Sequence, residues 1–191
     1  MKKTLLILII FSCFQVESQN TRMGLYLSPC VNWITTNDNS NSKSNIGFNY
    51  GYGIEFSLSE NHFLESGFEF SHRGGDIDLI NYNIQYLTLP IQIKMKSRSI
   101  GYWKYFAKTG PSLGFRIKER VRPNSLQENE KHSKSAILIV NISIGAEYSL
   151  GNNTAVHSEF FFQNNITDGL NYTETENSLL NQIGLRLGFF F

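Results

Sequence analysis

Cysteine is nearly absent from this chain: Cys13 and Cys30 are the only two. A disulfide framework is therefore excluded once Cys13 is assigned to a leader, and no Cys/His pair has metal-ligand spacing. The four histidines, His62, His72, His132 and His157, are scattered rather than clustered. Proline, which interrupts strand ladders, occurs only four times. Neither sign of charge dominates: the formal net charge is +1 and charged residues make up 17%. This balance offers no electrostatic basis for nucleic-acid binding. Beyond the first turns of the chain there is no long apolar run, so a membrane-crossing helix is not predicted. The mean hydropathy of −0.23 would suggest a water-soluble protein. That average is uninformative for a β-barrel, whose strands alternate apolar and polar residues.

What is present is a leader pattern followed by unbroken alternation. Met1-Lys2-Lys3 forms a basic start and Leu5 to Phe11 an apolar stretch too short to span a bilayer. Val16-Glu17-Ser18 offers a cleavage site, which predicts a signal peptide over 1–18 and a mature chain over 19–191 that begins at Gln19. A lipoprotein signal centred on Cys13 is disfavoured by Phe11, a poor residue at that position.

From Met23 to Phe191 the apolar residues recur with a period of two. In the clearest segment Ile46, Phe48, Tyr50, Tyr52, Ile54, Phe56 and Leu58 share one face, and Gly47, Asn49, Gly51, Gly53, Glu55 and Ser57 the other. A helical period of 3.6 would mix the two sets. Segments with this split lie at 23–33, 46–58, 62–72, 83–96, 102–117, 136–150, 154–164 and 179–191. They are longer than ordinary globular strands and suit tilted membrane-crossing ones. Connections alternate between long (35–45, 73–82, 118–134, 165–178) and short (59–61, 97–101, 151–153). The expected fold is all-β: an eight-stranded antiparallel up-and-down transmembrane β-barrel with tight periplasmic turns, longer extracellular loops and both termini in the periplasm.

Three features favour a membrane barrel over a soluble one with an apolar interior. Glycines 47, 51, 53, 67, 110, 114, 145, 184 and 188 sit on the polar face, as a crowded lumen requires. Aromatics gather near strand ends. Trp103, Tyr105, Tyr148, Phe189 and Phe191 mark a periplasmic girdle, and Trp33 and Phe48, with Phe70, Phe115, Phe160 and Phe162, an outer one. No Asp, Glu, Lys or Arg falls on the apolar face of any strand. The polar face carries Glu55, Glu65, Glu69, Glu147 and Glu159 against Lys94, Lys96, Lys104, Lys108, Arg116 and Arg186. Such near-cancellation predicts a lumen charge network that plugs the barrel rather than conducting ions. Expected pairs are Glu65 or Glu69 with Lys94, Glu147 with Lys104 or Lys108, and Glu159 with Arg186.

The segment YLTLPIQIKMK (86–96) resembles the fourth-strand signature of the PorT-like outer-membrane β-barrel family of Bacteroidetes. YFAKTGPSLGFRI (105–117) and the closing LNQIGLRLGFFF (180–191) are similar to that family's following and last strands. The resemblance implies an outer-membrane barrel. One branch of the family assists type IX secretion, and no residue here assigns the chain to it. The expected function is non-enzymatic, structural or binding, with the loops making contacts; the longest and most charged loop carries Lys118, Glu119, Arg120, Arg122, Glu128, Glu130, Lys131 and Lys134. The alternatives are a secretion accessory, a small pore, or a lipid-modifying barrel enzyme. For the last, His157-Ser158-Glu159 fails because alternation sends Ser158 to the opposite face from its neighbours, and Ser71-His72 fares no better. No cofactor or metal is expected. The expected partners are outer-membrane lipid, the barrel-assembly machinery acting on the C-terminal strand, and a secretion complex or surface ligand.

Overall fold

The computed structural model describes residues 21–36, 42–77, 80–122, 133–169 and 178–191. The leader, with its cleavage site, and much of the long loops predicted at 35–45, 118–134 and 165–178 lie outside these residues. Eight long strands follow one another: β1 (Thr21–Thr36), β2 (Asn45–Ser57), β3 (His62–Ile77), β4 (Ile80–Lys96), β5 (Trp103–Arg122), β6 (Ala136–Gly151), β7 (Thr154–Asn165) and β8 (Ser178–Phe190). A two-residue strand, Ser42–Lys43, pairs with the far end of β3.

Each strand is antiparallel to its sequence neighbour, and β1 pairs with β8 to close the ring. Closure leaves no sheet edge, as a hydrocarbon surround requires. Proline is ordinarily confined to edges. Here Pro29, Pro90 and Pro111 lie inside strands, and each sits at a gap in the ladder across which the register is kept: β1–β8 pairing lapses between Leu27 and Cys30, and β4–β5 pairing between Pro90 and Ile93, opposite Pro111.

The short connections are built as their residues dictate. Asn152 and Asn153 both take positive φ, 48° and 66°, the conformation of a two-residue hairpin turn, which asparagine tolerates. Gly101, at φ 63°, serves the turn between β4 and β5.

Two connections are shorter than the sequence suggested. Residues 73–76 and 81–82, expected in a loop, pair across β3 and β4, and β5 continues to Arg122 opposite Asn81. Their polar side chains break the apolar stripe but not the ladder, so a strand leaving the bilayer looks like a loop in sequence.

Side chains alternate between lipid and lumen as the pleat demands. Leu25, Leu27, Ile91, Ile93, Ile142, Ile144, Leu185 and Leu187 are more than half exposed on the outer wall. Met23, Phe48, Trp103, Tyr105, Phe189 and Phe191 also face out, and Trp103 meets Tyr148 edge-on at 4.9 Å. Trp33 lies 6.2 Å from Phe162 at the other end of the wall. The inner face is not uniformly polar. Ile34, Tyr82, Ile84, Tyr86, Ile137, Ile139 and Leu180 form an apolar cluster at the end of the barrel away from the chain termini.

Candidate functional site: the lumen charge network

The interior between the termini and the apolar cluster is filled by ionised side chains. Lys94 on β4 is the centre. Its Nζ lies 2.6 Å from Glu147, 2.9 Å from Glu55 and 3.3 Å from Glu65. It also stands over the Phe106 ring at 4.4 Å. Lys96, two residues along the same face, reaches Glu55 at 2.6 Å and Glu147 at 3.0 Å. Arg22 at the start of β1 donates to the same two carboxylates, at 2.7 and 2.9 Å.

A second group continues the chain of contacts deeper in. Lys108 joins Glu65 (2.7 Å) to Glu159 (2.8 Å). Arg186 bonds Glu159 at 3.2 Å and Glu69 more closely, and its guanidinium lies between the rings of Tyr26 and Phe161. His157, stacked on Phe106 at 4.7 Å, places Nε2 2.8 Å from Glu159. Beyond these, Arg73 bonds Ser71 and Gln163, and Gln163 reaches Glu69. The chemistry is that of an ionic core: each of these Lys and Glu side chains has at least two polar partners, as burial of charge requires, while Glu65 Oε2 and His157 Nδ1 make no hydrogen bond and meet Lys94 and Glu147 only at 3.3 and 3.7 Å.

Glu55, Glu65, Glu69, Lys94, Lys108, Glu147, Glu159 and Arg186 are thus brought together. Lys104 and Arg116 are not. Lys104 is exposed beside Trp103 at the short-turn end of the barrel, where the strand has already left the interior. Glu147 is consequently neutralised by Lys94, Lys96 and Arg22 rather than by Lys104 or Lys108. Arg116 lies at the opposite end, paired with Glu119 at 2.8 Å and bonded to Ser133.

Sequence reading missed Arg22 and Arg73, and it turned His157 inward beside Glu159 without placing it in the network. Arg22 has the parity of Gly24 and Tyr26 and was legible from that alone. Arg73 was hidden by the loop assignment. Aromatic rings inside the lumen, Phe106, Phe161 and Phe190, were also unforeseen; they cover the stems and heads of the cations. His157 and Glu159 point inward and Ser158 outward, and buried Ser71 is on the opposite face from His72. Among the described residues no cluster of His, Cys, Asp and Glu is arranged to hold a metal ion.

Solved outer-membrane barrels share this architecture, among them the following two. Neisserial surface protein A aligns over 87% of this chain and 95% of its own, with a TM-score of 0.56 and 9% identity. OprG from Pseudomonas aeruginosa aligns over 90% and 97%, with a TM-score of 0.56 and 8% identity. At such identities the likeness is one of fold. No curated protein sequence matches the chain. Residues 17–174 match the family described as the outer membrane protein beta-barrel domain. The closed eight-stranded ring, its apolar outer wall and this match together establish that the chain belongs to the outer membrane protein β-barrel domain family and is an outer-membrane β-barrel protein.

Proposed function

We propose that this protein is a plugged, non-catalytic barrel with a structural or binding role, its termini in the periplasm and its long loops outside the cell. The observation that carries the reading is the contiguous ion-pair network across the lumen, with Lys94, Glu55, Glu147 and Glu159 each at most 2% exposed. The cavity beside it, lined by Tyr26, Glu69, Thr88 and Arg186 among others, measures about 10 Å³, room for about one water. Cleavage before Gln19 and kinship with PorT-like barrels belong to the same reading. The segment that carries that resemblance is most of β4, and it supplies Lys94 and Lys96 to the network.

Planar-bilayer recording tests the plug. The refolded protein is expected to leave the baseline closed; steady ohmic steps would overturn the reading in favour of a small pore. Co-purification of a secretion machinery from native membranes would replace it by the accessory role. Hydrolysis or acyl transfer on membrane lipid by the pure barrel would replace it by an enzyme.

A further inference from the structure

We infer that Lys118 and Arg120, on the outer face of β5, bind the phosphate groups of a phosphorylated glycolipid in the outer leaflet. The argument begins with a β-bulge. Gln85 pairs with Lys118 whereas Tyr86 pairs with Arg116, so Ile117 is an extra residue in β5. Unbroken alternation from Leu113 and Phe115 would send Ile117 and Glu119 outward and turn Lys118 and Arg120 into the lumen. The bulge reverses this, since a bulge re-aims the side chains beyond it. Arg116 and Glu119 now share the inner face as an ion pair, while Ile117, Lys118 and Arg120 are all exposed.

The reversal falls where the outer wall changes character. Across β3, β4 and β5 the row Phe70–Leu87–Phe115 is apolar, and the next row outward is His72–Gln85–Lys118. The row after that is Gly74–Asn83–Arg120. On the β4 side the cross-strand neighbours of both cations are therefore neutral amides, and the acid on the same outer face of β3, Asp76, is bonded to Asn81. A lipid whose acyl chains lie on Leu89, Leu113 and Phe115 would present its phosphates to the two cations, combining apolar contact with charge attraction.

The inference rests on the loops facing outward, and the experiment separates the two. Purified barrel in neutral detergent is titrated with diphosphoryl lipid A and with its dephosphorylated form. Wild type is expected to bind the diphosphoryl form about thirtyfold more tightly than K118Q/R120Q, roughly fivefold for each cation. The dephosphorylated form should bind wild type as weakly as it binds the double variant, and K104Q, at the opposite end, should match wild type. Unboiled gel mobility confirms that the variants are folded. Equal affinity for wild type and K118Q/R120Q overturns the proposal, as does displacement of the lipid by millimolar inorganic phosphate. Orientation is read independently from Ser135→Cys in a Cys30→Ala background: labelling of intact cells by an impermeant maleimide is expected. A silent Ser135→Cys with lipid A binding intact overturns the outer-leaflet assignment and the orientation, but not the phosphate contact.

Discussion

Replacing Lys94 by methionine tests whether the lumen is held by balanced charge. The network joins Glu55, Glu65, Glu69, Glu147 and Glu159 to Arg22, Lys94, Lys96, Lys108 and Arg186, five acids against five bases. Methionine keeps most of the stem volume beside Phe106 and removes the charge, so packing is nearly conserved. Glu147 and Glu55 lose their contacts at 2.6 and 2.9 Å while remaining buried. Breaking a buried pair by deleting one partner costs about 3–5 kcal/mol, mostly the penalty of the carboxylate left behind. Lys96 and Arg22 still touch both acids, which puts the expectation at the lower end, about 3 kcal/mol. Neutralising the stranded acid as well, with Lys94→Met and Glu147→Gln together, should recover part of the loss, giving a coupling of about 1–3 kcal/mol. Lys104→Met, at an exposed position, should stay within about 0.5 kcal/mol. The assay is urea unfolding of the refolded barrel in lipid vesicles, followed by the fluorescence of Trp33 and Trp103 and by gel mobility without boiling. If Lys94→Met unfolds at the same urea concentration as wild type, or if the double variant loses the full sum of the singles, charge balance is not what holds the lumen.

Ile142→Arg is expected to cost about 2–4 kcal/mol in the same assay, since Ile142 is 56% exposed on the lipid wall and Ser143 is 5% exposed in the lumen. Cysteines introduced at 142 and 143 in a Cys30-free background should differ in kind, the first reacting with a lipid-phase probe and the second remaining silent; the reverse pattern would invert the barrel wall. Gly145→Ala should lower folding yield and stability by about 1–3 kcal/mol, because a Cβ there would stand 2.3 Å from the Ser158 carbonyl and 2.4 Å from the Phe106 ring, and a Phe106→Leu background should soften the loss only in part.

Alternation by itself determined the strand order, the antiparallel meander and which residues of each strand share a face, because the side-chain period in a strand is two whatever surrounds it. Ile142 outward and Glu147 inward followed from counting alone. Where counting failed, a non-local cause intervened. The strands run on past the apolar stripe at Arg73 and Arg120, because ladder pairing continues in water after the lipid ends, and hydropathy registers only the lipid. Lys104 has lumen parity but leaves the interior, since depth along the barrel axis is set by tilt and turn position rather than by parity. The bulge at Ile117, which turns Lys118 and Arg120 outward, exists only in the register between β4 and β5. The partners of Lys94 come from β2, β3 and β6, and no local pattern could match those charges across the ring: the tertiary structure alone decided which acid neutralises which base.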